Sequence, residues 1–188
     1  MEELNNELIE ACSQGNLEKV QYLLTTPGMK EHVSINDLKH SFADAITGAC
    51  ENGRTEIMRY ILTSKELDEH AHFYAVDRWG LVSACTHGHL ELVRFLLSSP
   101  ELPVHADLHA YDDNAFIRTF QTKNFDVASY LLDFYHPEDA RTLFEEAYID
   151  WPEMACLIED RIVSLQQKEK MEELWLHSSF NFTKTPKM

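Results

Sequence analysis

The sequence predicts an all-α helical-repeat solenoid of about five stacked helix pairs, followed by a C-terminal capping helix. One observation behind this prediction is that residues 8–24 recur, with small changes, as residues 81–97. Another is that each copy contains two short apolar stripes with helical spacing. Helices this short cannot bury both stripes alone, so neighbouring pairs must stack and share one core.

Further copies of the repeat occupy residues 46–62 and 116–132, and residues 143–159 preserve part of another copy. An acidic residue marks the same position in every copy. These acids are Glu18, Glu56, Glu91, Asp126 and, in the incomplete copy, Glu153. A period of about 35 residues is typical of arrays built from two helices per repeat.

The first helix of each pair places apolar residues at positions i, i+3 and i+4, as Leu8, Ala11 and Cys12 illustrate. It is expected to end near a glycine, which readily adopts the left-handed conformation that stops a helix. Three first helices are preceded by a short polar residue that can cap their free N–H groups. These predicted caps are Asn6, Asp44 and Asn114. Trp79 holds the same place in the third copy.

The second helix of each pair carries one apolar stripe, formed in the first copy by Leu17, Val20, Leu23 and Leu24. An aromatic residue recurs at one position of this helix. It is Tyr22, Tyr60, Phe95 and Tyr130 in successive copies. A recurrence of this kind predicts packing between repeats rather than a ligand site.

The cysteines are predicted to be compact packing residues. Cys12, Cys50 and Cys85 occupy the same place in successive copies, each next to an alanine. Stacked helices lie about 8–10 Å apart, which is too far for a disulfide between equivalent positions. Cys156 has no partner at a zinc-ligand spacing.

Two blocks carry a resemblance to a known family. Residues 11–24 read Ala-Cys-Ser-Gln-Gly-Asn-Leu-Glu-Lys-Val-Gln-Tyr-Leu-Leu, and residues 84–97 read Ala-Cys-Thr-His-Gly-His-Leu-Glu-Leu-Val-Arg-Phe-Leu-Leu. Both resemble the helix pair of ankyrin repeats, and the resemblance extends over roughly residues 4–160. The Thr-Pro-Leu-His sequence with which the family's repeats open is absent. The first helix of the second copy could begin as early as Ser34. The array is expected to span residues 1–165, with residues 166–188 forming the helix end and a flexible tail.

The resemblance implies a protein-binding module whose contacts come from the loop tips and from the exposed side of the first helices. The residues at those places are Lys39, His40, Glu51, Asn52, Tyr74, Arg78, Trp79, Thr86, His87, Tyr111, Asp112, Asp113, Gln121 and Thr122. Trp79 and Tyr111 are the favoured anchors, because large aromatic side chains often dominate interface energies. Trp79 could equally fill the gap left by the missing Thr-Pro and pack between repeats.

Composition and motifs exclude several other functions. A net charge of −16 disfavours nucleic acid and anionic membranes and favours a protein partner with a basic patch. The chain has no apolar run long enough to span a membrane and no leader-like N-terminus, so a cytoplasmic protein is expected.

Catalytic and metal-binding patterns are missing from the sequence, which predicts a protein that is not an enzyme and needs no cofactor. The alternative is a small enzyme with an unrecognised site at His70, His72 and His87. Another alternative is a structural subunit that assembles with itself, whereas the main interpretation expects a monomer.

The C-terminal segment is predicted to begin a helix at Pro152 and to cover the last repeat with Ile158, Ile162 and Leu165. Residues 178–188 lack periodicity and are expected to fray. The glutamates Glu169, Glu172 and Glu173 resemble the C-terminal signals of type IV secretion substrates from intracellular bacteria, some of which contain degenerate ankyrin repeats. That resemblance implies an effector, or an effector regulator, acting in a host cell cytosol; the alternative is an ordinary capping helix.

Overall fold

The computed structural model describes residues 2–28, 33, 42–67, 70, 76–136, 139, 142–143, 145 and 152–182. Within these residues the secondary structure is helical and includes no strand, which confirms the predicted all-α class. The chain divides into two compact units, Met1–Ala128 and Ser129–Met188.

The helices form pairs in the order that the repeat predicts. Their bounds are α1 Glu2–Gln14, α2 Leu17–Thr25, α3 Phe42–Glu51, α4 Thr55–Thr63, α5 Leu81–Thr86, α6 Leu90–Ser98, α7 Ala110–Gln121, α8 Phe125–Leu131 and α9 Pro152–Phe182. A π-helical segment, Val76–Gly80, leads directly into α5, and a 3₁₀ turn, Leu132–Phe134, follows α8.

Helices from matching places in successive repeats lie side by side in the first unit. The first helices contact one another in the order α1, α3, α5 and α7, and the second helices in the order α2, α4 and α6. The solvent-exposed fractions of Cys12, Cys50 and Cys85 are 0%. The predicted stacking is therefore confirmed, and the recurring cysteines pack at its centre.

A glycine ends the first helix of three successive pairs in a left-handed conformation. The φ angles are +80° at Gly15, +63° at Gly53 and +76° at Gly88. Lys123 holds the same place in the fourth pair with a φ of +63°. A lysine pays a steric penalty there that glycine avoids, since its Cβ crowds the neighbouring backbone.

In the second, third and fourth pairs, the residue after this turn hydrogen-bonds to the preceding pair. Arg54 Nε donates to the Ser13 carbonyl oxygen at 2.9 Å, and His89 Nε2 donates to that of Glu51 at 2.7 Å. Asn124 Nδ2 donates to the carbonyls of Cys85 and Thr86, at 2.9 and 2.7 Å. These bonds satisfy carbonyls at the ends of first helices, which have no partner within their own helix.

Glycine is needed at these turns for a second reason, which is the space that the bonding side chains of the next pair occupy. A Cβ at Gly53 would lie 2.6 Å from His89 Nδ1, and one at Gly88 would lie 2.6 Å from Asn124 Oδ1. The bridging side chain passes directly over the glycine of the preceding pair. Glycine therefore supplies both the left-handed turn and the space for the neighbouring repeat.

Two of the predicted helix caps are wrong. Asn6 lies inside α1 and Asp44 lies inside α3, because both helices begin earlier, at Glu2 and Phe42. An acidic start such as Glu2-Glu3 favours a helix N-terminus through the helix dipole, so α1 needs no Asn cap at Asn6. Asn114 instead follows three residues with positive φ, and regular helix starts there. The early start considered at Ser34 lies outside the described residues.

The recurring aromatic residue is buried in two of the copies, and packing between repeats is confirmed for Phe95. Tyr60 and Phe95 are buried, and the guanidinium carbon of Arg59 lies 4.9 Å from the Phe95 ring centroid. The prediction is wrong for Tyr22, whose side chain is 53% exposed. Phe95 is covered from the preceding pair by Arg59, whereas Tyr22 belongs to the first pair of the array.

The C-terminal unit contains the long helix α9. Ile162 is buried within it, and Arg161 forms an ion pair with Asp133. The predicted boundary at residues 165/166 falls inside α9, and the helix continues through Phe182. Fraying from Ser178 onward is therefore wrong as far as Phe182, because strong helix formers upstream propagate the helix. Residues 183–188 and the Ile158 side chain lie outside the described residues.

Replacing Lys123 with glycine is expected to stabilise the first unit by about 1 kcal/mol, because it removes the left-handed penalty of a side chain. Urea denaturation followed by circular dichroism would measure the change. Lys123→Ala is the matched control, since it removes the same lysine but keeps the Cβ. Equal stability of the two variants would contradict this reason.

Thiol reactivity provides a test of the buried column. Burial raises the pKa of the Cys12 and Cys85 thiols to about 12 and also raises the pKa of Cys50, whereas Cys156 is exposed. We expect Ellman's reagent to label Cys156 quickly in the native protein and the other cysteines only on unfolding. Cys156→Ser should abolish the fast phase of labelling. Fast labelling that persists in this variant would show that the reagent reaches the buried cysteines in the folded protein.

Candidate protein-binding surface

Trp79 lies at the N-terminal end of α5, in the π-helical segment Val76–Gly80. Its side chain is 48% exposed, while Val76 and Gly80 in the same segment are buried. A Cβ at Gly80 would lie only 3.2 Å from Cys50 Sγ, so this backbone packs closely on α3. The buried residues hold the segment in place and leave about half of the indole accessible.

Tyr111 lies at the start of the next first helix, in an unusual backbone conformation. Tyr111, Asp112 and Asp113 all have positive φ angles, at 58°, 58° and 57°. Each such residue costs roughly 1–2 kcal/mol unless glycine occupies it. The buried residues Leu108 and Ala115 flank the turn, which presents a 46% exposed tyrosine.

The same turn carries a contact between two polar side chains. His109 Nδ1 lies 2.8 Å from Asp113 Oδ1, and the His109 backbone N–H donates to Asp107 Oδ1 at 2.9 Å. Asp112 is exposed beside them. The sequence predicted these residues as loop contacts, but nothing in it indicated three consecutive left-handed residues. Asp112 and Asp113 are of a type enriched in that conformation and carried a weak signal for it, whereas Tyr111 carried none.

Trp79 and Tyr111 lie at corresponding ends of neighbouring helices. The segment Val76–Gly80 contacts α7, which begins next to Tyr111. We call the residues Trp79, Tyr111, Asp112 and Asp113 the aromatic edge. Two half-exposed aromatic side chains on an edge that also carries two aspartates can bind a cationic or apolar side chain.

A second set of predicted contacts lies at the opposite, C-terminal ends of the first helices. The side chains of Asn52, Thr86 and Thr122 donate to the carbonyls of Gly48, Val82 and Arg118, at 2.8, 2.7 and 2.9 Å. His87 Nδ1 likewise lies 2.9 Å from the Ser83 carbonyl. These polar groups cap their own helices.

Glu51 and Gln121 are exposed at the same ends, and Gln121 Oε1 accepts a hydrogen bond from Arg118 Nη1 at 3.0 Å. The predicted site residues thus divide between two ends of the stacked helices. Lys39, His40 and Tyr74 lie outside the described residues, and so does the side chain of Arg78.

Two histidines have a structural role that the sequence analysis missed. His70 Nε2 donates to the Ser64 carbonyl at 2.8 Å, and His105 Nε2 donates to the Ser99 carbonyl at 2.9 Å. Each closes the C-terminal end of a second helix. A repeated Ser-x-Glu-Leu-x-x-His pattern, at residues 64–70 and 99–105, could have revealed this role.

The proposed catalytic histidines do not form a site in the described part of the chain. His70 and His87 each bond to a backbone carbonyl, and His72 lies outside the described residues. Among the residues that the structure describes, no group of three His, Cys, Asp or Glu side chains could hold a metal ion.

The recurring acids form an exposed series on the second helices. Glu18, Glu56, Glu91 and Asp126 lie in the first turns of α2, α4, α6 and α8. All four side chains are exposed. Each stabilises its helix through the helix dipole, and together they add to the negative surface of the array.

Comparison with known proteins identifies the repeat. A family model for ankyrin repeats matches residues 8–102 in three copies, a span that contains α3–α4, α5–α6 and most of α1–α2. No curated protein and no solved structure matches the chain. In the described part of the chain, every helix is too short or too polar to cross a membrane. Ankyrin repeats indicate a protein–protein interaction module. Since the family model covers half of the sequence, the chain belongs to the ankyrin-repeat family.

Proposed function

We propose that this protein is a non-catalytic module that binds another protein through the aromatic edge. The observation that supports the proposal is the exposure of Trp79 and Tyr111, at 48% and 46%, on backbone held by buried neighbours. Aromatic side chains with few rotatable bonds lose little entropy on binding and bury a large area. Such residues are typical anchors of an interface.

The partner carries a basic patch in this proposal. The chain has 32 acidic and 16 basic residues, and Asp112 is exposed next to the anchor Tyr111. An arginine of the partner could stack on an aromatic ring and pair with this carboxylate. The exposed residues Glu51 and Gln121, at the opposite ends of the first helices, would provide a second contact, and Lys39, His40, Tyr74 and Arg78 are further proposed contacts.

The aromatic edge is tested by the double variant Trp79→Ala and Tyr111→Ala. Loss of two anchors is expected to weaken partner binding by at least about tenfold, since each anchor commonly contributes more than 1 kcal/mol. Immobilised protein would capture partners from a cytoplasmic lysate, and mass spectrometry would identify those lost from the double variant. Binding of the purified partner would then be measured by calorimetry.

Tyr22→Ala is the matched control, because Tyr22 is equally exposed but lies on a second helix away from the aromatic edge. It should bind as the unmodified protein does. The interaction should also weaken as salt rises, because exposed charges are screened. Unchanged affinity of a correctly folded double variant would refute the aromatic edge as the binding surface.

We also propose that the protein acts as a bacterial effector, or as a regulator of another effector, after type IV secretion into a host cell cytosol. The support is the resemblance of Glu169, Glu172 and Glu173 to glutamate-rich export signals; all three side chains are exposed on α9. Exposed carboxylates on a terminal helix are accessible to an export receptor.

A translocation assay tests this second proposal. Deleting residues 171–188 should abolish export, and so should replacing Glu169, Glu172 and Glu173 with glutamine, which keeps the chain length and helix propensity. Replacing Glu18 and Glu56 with glutamine removes similar charge from the array and should leave export unchanged. Undiminished export of the truncated chain would exclude the signal.

A further inference from the structure

The N-terminal end of α4 lacks the side-chain cap that α2 has at the same place. Asn16 Oδ1 accepts a hydrogen bond from the Lys19 backbone N–H at 3.0 Å and so satisfies one free N–H group of α2. Arg54 holds the equivalent position before α4 and forms no cap, because a guanidinium has no acceptor atom. The N–H groups of Glu56 and Ile57, in the first turn of α4, therefore have no side-chain acceptor within the described part of the chain.

The first residue of α4 is polar, unlike the first residue of every other second helix. Thr55 stands where the other pairs have Leu17, Leu90 and Phe125. Thr55 is only 7% exposed, and among the residues that the structure describes its hydroxyl has no hydrogen-bond partner. A buried hydroxyl without a partner has lost most of its hydration, so a ligand that bonds to it restores a lost interaction.

Arg54 brings a positive charge to the same end of α4. Its Nε atom donates to the Ser13 carbonyl oxygen at 2.9 Å, and its guanidinium carbon lies 3.4 Å from the place that a Cβ would take at Gly15. These contacts fix the guanidinium over the turn of the preceding pair. Its two Nη atoms make no hydrogen bond or ion pair to any described residue, which leaves their N–H groups for an acceptor.

These groups line one surface cavity of about 250 Å³, which we call the α4 cavity. Its lining includes Arg54, Thr55, Glu56 and Ile57, together with Glu91 from the following pair. Glu56 Oε1 already accepts a hydrogen bond from Arg59 Nε at 3.4 Å, whereas the exposed Glu91 carboxylate has no partner in the described ranges. The cavity thus combines several unused donors with one unused carboxylate, and its volume suits a side chain of a partner rather than a cofactor.

We propose that the α4 cavity binds an aspartate or glutamate side chain of a protein partner, next to an arginine or lysine of the same partner. The carboxylate accepts hydrogen bonds from the N–H groups of α4, the Thr55 hydroxyl and the Arg54 guanidinium. The neighbouring cation pairs with Glu91. Free phosphate fits less well, because its larger negative charge meets the two glutamates without a compensating cation.

The α4 cavity adds an anchor to the second set of predicted contacts. It follows Glu51 and Asn52 in the chain, whereas the aromatic edge lies at the opposite ends of the first helices. Binding in the cavity therefore does not depend on the aromatic edge. A partner that reaches both places gains affinity, since the second contact forms within an existing complex.

Nuclear magnetic resonance of the isotope-labelled full chain tests the α4 cavity. The probe is the acetylated and amidated tetrapeptide Gly-Asp-Arg-Gly. Saturable shifts are expected at the backbone amides of Glu56 and Ile57, where the carboxylate accepts hydrogen bonds. The equivalent amides of α8, at Asp126 and Val127, are the internal control and should shift little. Absence of a saturable shift at Glu56 and Ile57 would overturn the proposal.

Two variants test the donors with residue types that the other pairs already carry. Thr55→Val removes the hydroxyl at a position that is apolar elsewhere, and Arg54→His introduces the residue that forms the corresponding bridge at His89. Both variants should therefore fold. Each should weaken binding of the tetrapeptide about tenfold, because each removes a hydrogen-bond donor to a charged acceptor. Binding that neither variant weakens would contradict the proposed geometry.

Glu91→Gln tests the pairing with the cation. It should weaken binding of Gly-Asp-Arg-Gly but leave that of Gly-Asp-Gly-Gly unchanged, because only the first peptide carries a cation. Glu18→Gln is the matched control, since it removes the carboxylate at the same position of the first pair. Equal effects of Glu91→Gln on both peptides would overturn the role of the cation.

Two further probes identify the ligand chemistry. The peptide Gly-Asn-Arg-Gly keeps the size of the probe but lacks the carboxylate, and it should bind several-fold more weakly. Inorganic phosphate should also bind more weakly than Gly-Asp-Arg-Gly. Equal binding of the asparagine peptide, or tighter binding of phosphate, would refute a carboxylate partner. Trp79→Ala with Tyr111→Ala should bind the tetrapeptide unchanged, which separates this test from that of the aromatic edge.

Discussion

The architecture depends on one interaction: each helix pair supplies the hydrogen-bond partners that the preceding pair lacks. A first helix ends with carbonyls that its own backbone cannot satisfy. Arg54, His89 and Asn124 reach across to those carbonyls in successive pairs, and a glycine of the preceding pair lies beneath the bridging side chain at all three crossings. Together with the shared apolar core, this explains why a single pair could not form alone.

The regular stack also determines where irregular backbone can occur. Buried residues on both sides of a linking segment fix its ends, so the segment between them can hold a strained or π-helical conformation. This is the situation of Trp79, between Val76 and Gly80, and of Tyr111, between Leu108 and Ala115. Rigid support and exposure coincide at these positions, which is the combination that a binding surface requires.

Much of the fold could be predicted because packing in a repeat array is local in sequence. The apolar stripes, the glycine turns and the buried cysteines all follow from residues within one helix pair and its neighbour. The predictions were wrong where the burial or bonding of a residue depended on residues outside the repeated unit. Tyr22 has the same place as Phe95, but only Phe95 lies beneath Arg59 of a preceding pair. His70 and His105 lie in the links between helix pairs and cap second helices. Aligning the repeated helices alone does not include these links.

The sequence by itself determined the class of fold, the family resemblance and the residue types available for binding, because periodicity and charge are properties of the chain. The tertiary structure decided which of those residues are accessible and which are already bonded. Asn52, Thr86 and Thr122 cap their own helices, whereas about half of the Trp79 and Tyr111 side chains is exposed to solvent. Exposure depends on atoms from distant segments, and the order of residues alone does not specify where those atoms lie.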